Sequence, residues 1–312
     1  MDHKETLRRI RENVSRVIVG KEETVDHLLC ALLCGGHVLI EDKPGLGKTK
    51  MAAALAASLG CSFRRIQFTP DVVPSDITGY TMFNIKTGEK ETHFGSVMHQ
   101  IVLADEINRT GPKTQSALLE VMQEHQVTID GETFEAPSPF MVLATQNPIE
   151  TVGTYPLPEA QLDRFLMRLS MGYPTREEEL EILSRHRTRY EEEPLSAVVT
   201  AEEIRAMQQA VGKVTCCPEV SRYIVEIAET TRVLTDVRLG ISPRGSIALM
   251  QASRARALME GRDYVLPDDV QKMALPVLAH RLLLRPQSHL QNRTAEDILE
   301  AVLRVVPVPV LS

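Results

Sequence analysis

Tryptophan is absent from this chain, and aromatic residues together make up only 4% of its 312 positions. Proteins that hold single strands by stacking bases lean on aromatic platforms, so that work is disfavoured. The net charge of -7 and the pI near 5.8 point the same way, because a dedicated nucleic-acid binder carries a basic excess. Cysteines are few: Cys30, Cys34, Cys61, Cys216 and Cys217 show neither the spacing of a zinc site nor the even count of a disulfide framework. Cys30 and Cys34 lie on an apolar stretch and read as core residues, and a reducing cytoplasm is expected. Vicinal Cys216-Cys217 has only Lys213 as a basic neighbour, too little to activate a thiol. Long apolar runs are missing too. Leu28 to Ile40 is the most apolar stretch, but Gly35-Gly36 and His37 interrupt it and it is too short to span a bilayer. No signal-peptide pattern opens the chain, where Met1-Asp2-His3-Lys4-Glu5 leads into a charged helical pattern, so neither export nor direct membrane insertion is expected.

What is present is informative. An apolar content of 43% supports a full core and two domains. Asp42-Lys43-Pro44-Gly45-Leu46-Gly47-Lys48-Thr49 follows the apolar run Val38-Leu39-Ile40, and Asp105-Glu106 ends a second run, Ile101-Val102-Leu103-Ala104. This is a phosphate loop with its acidic partner, the equipment for binding and hydrolysing a nucleoside triphosphate. Gly45 and Gly47 let backbone N–H groups turn inward, Lys48 reaches the β and γ phosphates, and the Thr49 hydroxyl completes the shell of a Mg²⁺ ion. The positive end of the following helix adds to the anion site. Asp105 is placed to hold the metal from the other side, and Glu106 to orient or deprotonate the attacking water. The spacing G-x-x-x-x-G-K-T asks for glycine where this chain has Asp42. A carboxylate facing the triphosphate would repel it, so Asp42 is expected to point away, its backbone tolerating a left-handed turn.

Around these motifs the pattern alternates. Leu7, Ile10, Val14, Val17 and Ile18 recur at helical spacing up to Val19-Gly20, and a second helix runs from about Glu22 to Cys34. Strands are expected at His37 to Ile40, Phe63 to Phe68, Gln100 to Ala104, Pro139 to Thr145 and Phe165 to Ser170, with helices between. Short apolar strands separated by helices give an α/β fold with a parallel sheet flanked by helices, and its ligand at the carboxyl ends of the strands. Two insertions read as hairpins, Thr81 to His93 with Lys86-Thr87-Gly88 at the turn, and Gln126 to Phe134 with an Asp130-Gly131 turn. Neither is needed to bury the core. After Gly172-Tyr173-Pro174 the character becomes helical. Thr175 with Glu178 and Thr200 with Glu203 form capping boxes, and Ser242-Pro243 is an N-cap followed by proline. A core over residues 1–173 and an all-helical second domain over residues 174–312 are therefore expected. Glu177-Glu178-Glu179 and Glu191-Glu192-Glu193 read as solvated faces.

Three further residues suit a motor. Asn147, in Ala144-Thr145-Gln146-Asn147-Pro148, ends a strand beside that of Asp105, where an amide can hold the attacking water. Arg164 closes Glu159-Ala160-Gln161-Leu162-Asp163-Arg164-Phe165, and Arg244 opens a later helix; a planar, permanently charged fork can grip phosphate oxygens. Arg109 either orients Glu106 or meets another subunit.

Here the chain resembles the MoxR-type ATPases of the AAA+ superfamily, over nearly its whole length and most densely from Phe68-Thr69-Pro70-Asp71 through Leu166. Ala104-Asp105-Glu106-Ile107-Asn108-Arg109, Lys113 to Glu120, and Thr145-Gln146-Asn147-Pro148-Ile149-Glu150 through Gly153 to Phe165 carry the likeness. The resemblance implies an ATP-hydrolysing chaperone with a helical lid, forming a homo-oligomeric ring, expected to be a hexamer. It implies Asn147 as the first sensor, Arg164 as the finger offered to a neighbouring subunit, Arg244 as the second sensor, and adenine near Val19 and Gly20. The two insertions, at about residues 80–95 and 126–135, become the helix-two insertion and the hairpin before the first sensor. The likeness also implies a von Willebrand factor A partner and the maturation of client complexes, metal insertion among them. A chelatase-like motor subunit and a nucleotide-gated adaptor with weak hydrolysis are the alternatives. A nucleic-acid motor is disfavoured, because the second hairpin carries Asp130, Glu132 and Glu135 and neither lysine nor arginine.

Overall fold

The computed structural model describes residues 2–147, 153–188, 194–290 and 292–310. Pro148-Ile149-Glu150 and Glu191-Glu192-Glu193 lie outside the described residues. Two helices, α1 (His3–Ser15) and α2 (Glu22–Leu33), lead into β1 (Val38–Glu41), the phosphate loop and α3 (Lys48–Ser58). There follow β2 (Phe63–Gln67), α4 (Pro74–Thr78) and the hairpin β3 (Gly79–Phe83) and β4 (Lys90–Phe94). Next come β5 (Ile101–Asp105), a 3₁₀ turn at Ile107–Arg109, and α5 (Pro112–Glu124). The second hairpin is β6 (Gln126–Ile129) and β7 (Glu132–Glu135), followed by β8 (Met141–Gln146), α6 (Glu159–Leu162) and β9 (Met167–Leu169).

Strands β1, β2, β5, β8 and β9 form one sheet in the order β2-β5-β8-β1-β9, and every neighbour pair in it is parallel. Alternate residues of the central strands serve two different cores. Val38, Ile40, Ile101, Leu103, Met141 and Leu143 join one buried cluster, and Leu39, Val102, Ala104, Val142 and Ala144 the other. That two-sided burial is why these strands read as unbroken apolar runs rather than alternating ones. The first cluster extends through α1, α2 and α3 to the apolar faces of the carboxyl-terminal helices. The second lies under α5 and the second hairpin, whose Val127 and Ile129 are buried in it. That hairpin, expected to be dispensable to the core, therefore contributes to it. The first hairpin differs: Tyr80, Met82, Phe83 and Phe94 are exposed, and Ile85 at its tip is 91% exposed.

From Pro174 onward come α7 (Arg176–Thr188), α8 (Ala201–Val211), α9 (Pro218–Val233), α10 (Pro243–Met259), α11 (Pro267–Leu278), α12 (Pro286–Leu290) and α13 (Ala295–Val305). Their starts follow the caps read from the sequence. Thr200 and Glu203 exchange backbone hydrogen bonds at the head of α8, Thr175 and Glu178 do so at the head of α7, and Ser242 caps α10. The part is not wholly helical. Between α9 and α10 lies β10 (Val237–Leu239), which pairs antiparallel with β11 (Leu283–Leu284) in a two-stranded ribbon. Strands of two and three residues leave no periodic signature, so the pattern could not announce them. Among the described residues, no helix is long and apolar enough to cross a membrane.

Candidate active site

The chain leaves β1 and turns through Gly45 and Gly47, both left-handed at φ of 84° and 85°, before α3 starts at Lys48. Only glycine enters that region without strain, so the turn that directs backbone N–H groups toward a phosphate depends on these two residues. Asp42 needs no such freedom: it is not among the described residues with positive φ, contrary to the expectation of a left-handed turn there. Its buried carboxylate does point away from the loop. It accepts hydrogen bonds from the Ser170 hydroxyl at 2.8 Å, from the Met171 N–H and, more weakly, from the Gly172 N–H at 3.4 Å. Asp42 thus fastens the loop to the chain beyond β9. Its main-chain oxygen accepts from the Lys48 ammonium at 2.7 Å. Partial burial pulls the Lys48 pKa down, and the charges of Asp42, Asp105 and Glu106 work against that shift.

Asp105 and Glu106 emerge at the carboxyl end of β5. Thr145 on β8 ties them together: its hydroxyl donates to Asp105 Oδ1 at 2.6 Å and accepts from the Glu106 N–H at 2.9 Å. Glu106 has φ of 59°, a left-handed conformation unusual for a residue with a side chain and the kind of strain that collects at functional positions. Its carboxylate accepts from Gln67 Nε2 at 2.8 Å and pairs with Arg109 at 3.3 Å. Of the two roles open for Arg109, the structure shows it against Glu106. Oxygen donors alone, the Asp105 carboxylate and the Thr49 hydroxyl, suit a hard ion. No group of three or more His, Cys, Asp or Glu able to hold a metal occurs among the described residues. That donor set fits Mg²⁺, which binds through one or two protein oxygens together with substrate phosphates and water.

Beside the loop opens a cavity of about 640 Å³, lined by Val17, Ile18, Val19, Gly45, Leu46, Gly47, Met171, Gly172, Pro174, Ile182 and Arg185 among others. Its lining combines apolar side chains with the cations Arg16, Lys21, Lys50 and Arg185, a mixture that suits a nucleotide beside a phosphate loop. Val19 lines this cavity, whereas Gly20 does not. Gly20 lies against Glu178, which a side chain at that position would overlap. Pro44, Lys48 and Thr49 belong to the loop and the first turn of α3 without lining the cavity. Arg185 donates to the main-chain oxygens of Ser15 and Arg16 at 3.1 and 3.0 Å.

Asn147 is buried directly after β8, the strand next to β5. The two arginines lie elsewhere. Arg164 donates to the main-chain oxygen of Leu119 at 2.9 Å, and Arg244 approaches Asp163 at 3.7 Å. Both line a separate cavity of about 280 Å³ that contains no phosphate-loop residue. Arg281, unremarked in the sequence, grips Asp163 at 2.8 Å and the main-chain oxygen of Phe165 at 2.7 Å with a side chain only 4% exposed. Sequence reasoning also missed Arg65, Gln67 and Thr145. Thr145 stood inside a quoted motif, but only the register of the sheet reveals its partners.

Comparison with known proteins bears on these groups. The model of the ATPase family associated with various cellular activities (AAA) matches residues 37–167, and that of the AAA lid domain matches residues 229–302. Protein YeaC of Bacillus subtilis (strain 168) is 52% identical, covering 96% of this chain and 93% of its own. Chaperone MoxR1 of Mycobacterium tuberculosis is 42% identical, covering 97% of this chain and 82% of its own. A solved structure from Cytophaga hutchinsonii superposes with a TM-score of 0.93 at 37% identity, covering 98% of this chain and 96% of that one.

Proposed function

Since the chain belongs to the MoxR family of AAA+ ATPases, we propose that it couples Mg²⁺-dependent hydrolysis of ATP to the remodelling of a client protein complex. One observation carries the reading: the phosphate loop and the Asp105-Glu106 pair stand at the carboxyl ends of β1 and β5, the two strands that flank β8, and a cavity of about 640 Å³ opens beside the loop. Residues 1–173 act as the nucleotide-binding core and residues 174–312 as the lid. That cavity is lined by Gly45 and Leu46 from the first part and by Pro174, Ile182 and Arg185 from the second, so a nucleotide there would link the two parts.

In this reading Lys48 holds phosphate oxygens, Thr49 and Asp105 hold the metal, Glu106 activates water, and Asn147 positions that water. Bound magnesium would neutralise charge on the phosphates. Arg164 and Arg244 serve the site of a neighbouring subunit in a ring, proposed to be a hexamer. Their place together in a cavity separate from their own phosphate loop supports this reading. The exposed apolar residues of the first hairpin, with Ile85 at the tip, suit contact with a client or with a von Willebrand factor A partner. Clients of the metal-insertion kind, as for a chelatase-like motor subunit, belong to this proposal as well. A second reading, the nucleotide-gated adaptor with slow hydrolysis, draws support from Glu106, whose carboxylate is engaged by Gln67 and Arg109.

Turnover of ATP measured against protein concentration separates the two. Specific activity that rises with concentration and vanishes in Glu106→Gln while nucleotide still binds supports the ring motor. Negligible turnover with ATP-dependent partner binding supports the adaptor.

A further inference from the structure

Arg65 lies on β2, the edge strand of the sheet, in the register position that faces Leu103 on β5. Its guanidinium reaches along β5 and donates twice to one oxygen, Asp105 Oδ2, from Nε at 3.1 Å and from Nη2 at 2.7 Å. The same Nη2 donates to Gln67 Oε1 at 2.6 Å, and Gln67 Nε2 donates in turn to Glu106 Oε2 at 2.8 Å. With Thr145 on Oδ1, both oxygens of the carboxylate are engaged, one of them by a permanent cation. The two partners differ in freedom. The Asp105 side chain is 12% exposed and the Arg65 side chain 46%, so the guanidinium can swing to solvent while the carboxylate stays in place.

We propose that Arg65 is a positioning residue that competes with magnesium for Asp105 Oδ2 and so sets how far nucleotide binding depends on the metal. The inference rests on the reading of Asp105 as the metal carboxylate. Two cations on one oxygen repel each other, so a metal at Oδ2 displaces the guanidinium. Until then Arg65 neutralises a carboxylate that would otherwise repel an incoming triphosphate. Its departure also frees the Gln67 amide that holds Glu106, joining the metal carboxylate and the water-activating one through a single relay. A merely structural tie is not needed between these strands, since main-chain pairing already joins β2 to β5 from Phe63 through Gln67.

The sign of the effect is distinctive. Equilibrium binding of a fluorescent ADP analogue to the full chain, in EDTA and in excess Mg²⁺, tests it with Arg65→Ala, Arg65→Lys and Lys48→Ala. Arg65→Ala is expected to bind the metal-free analogue about five- to tenfold more weakly and its magnesium complex about five- to tenfold more tightly, the range for a half-exposed charge-assisted pair. Arg65→Lys keeps the charge and returns both constants toward those of the native chain. Manganese alone, titrated by electron paramagnetic resonance, is expected to bind Arg65→Ala more tightly than the native chain. Equal weakening in EDTA and in magnesium, as for a phosphate contact or a damaged fold, overturns the inference, and so does no change in either. If the native chain binds the analogue no better than Lys48→Ala, the nucleotide site itself is refuted, and the inference with it.

Discussion

Replacing Asp42 by glycine supplies the residue that the phosphate-loop spacing calls for, yet the structure predicts damage. The buried carboxylate accepts two firm hydrogen bonds, from Ser170 and Met171, and a long one from Gly172. At about 1.5–3 kcal/mol for each bond to a charged group, the two firm ones amount to roughly 3–6 kcal/mol. The greater freedom of glycine in the unfolded chain adds roughly 0.5–1 kcal/mol. Release from burying a carboxylate offsets several kcal/mol, leaving a net loss of about 2–4 kcal/mol. With an unfolding entropy of about 2.1 cal/mol/K per residue, a chain of this length loses about 3–6 °C in Tm. Differential scanning calorimetry without nucleotide reads the shift directly. Asp42→Asn, which keeps an acceptor but can turn an NH₂ toward an N–H, should fall between the two. A glycine variant that melts within 1 °C of the native chain, or above it, would refute the claim that Asp42 anchors the loop to the segment after β9.

Other expectations follow from the same geometry. His37 is fully buried: its Nδ1 accepts from the Val142 N–H at 3.0 Å, which leaves Nε2–H to donate to the Met122 oxygen at 2.8 Å. Desolvation depresses its pKa to about 4, so between pH 6.5 and 4 the unfolded chain binds more protons than the folded one. Stability from this residue is then complete above pH 6.5 and declines by up to about 3 kcal/mol as pH falls to 4. Imidazole ¹⁵N shifts should report a neutral ring at pH 5.5, and a protonated ring there would contradict the assignment. Gly95→Ala should cost about 1–3 kcal/mol in urea unfolding, because its Cβ would overlap the main-chain oxygen of Ile77; an unchanged midpoint would show that the first hairpin yields. Glu106→Gln should retain nucleotide affinity within about threefold while losing at least about 10²-fold in turnover, and a comparable loss of affinity would place the residue in binding instead.

Parts of this molecule were legible because single residues dictate them. Gly45 and Gly47 announce a left-handed turn, the apolar runs of β1, β5 and β8 announce strands buried on both faces, and Asp130-Gly131 announces a hairpin. Strand boundaries moved by a residue or two, and the first helix, expected to run up to Val19-Gly20, ends at Ser15. Arg65 and Arg281 stayed hidden for a different reason. Arg65 meets Asp105 only because β2 lies beside β5, an adjacency created by the strand order and not by nearness in sequence. Arg281 is buried against Asp163 and the chain leading into β9, whereas an isolated arginine in a sequence is expected at the surface. Arg244 was legible as a helix-opening arginine, but its place beside Arg164 depends on how the helices after Pro174 pack onto the sheet. Long-range pairing of charged groups is set by tertiary packing, and local pattern carries no record of it.

The central claim is a hydrolytic site completed by a second copy of the chain. Its most direct test mixes two inactive variants, Glu106→Gln and Arg164→Ala, and measures ATP turnover across mixing ratios. Interfaces that join an intact Glu106 to an intact Arg164 form only in mixed assemblies, so the account predicts turnover that is absent from either variant alone and greatest near equal proportions. Turnover that stays absent at every ratio, or an Arg164→Ala variant active by itself, would contradict it.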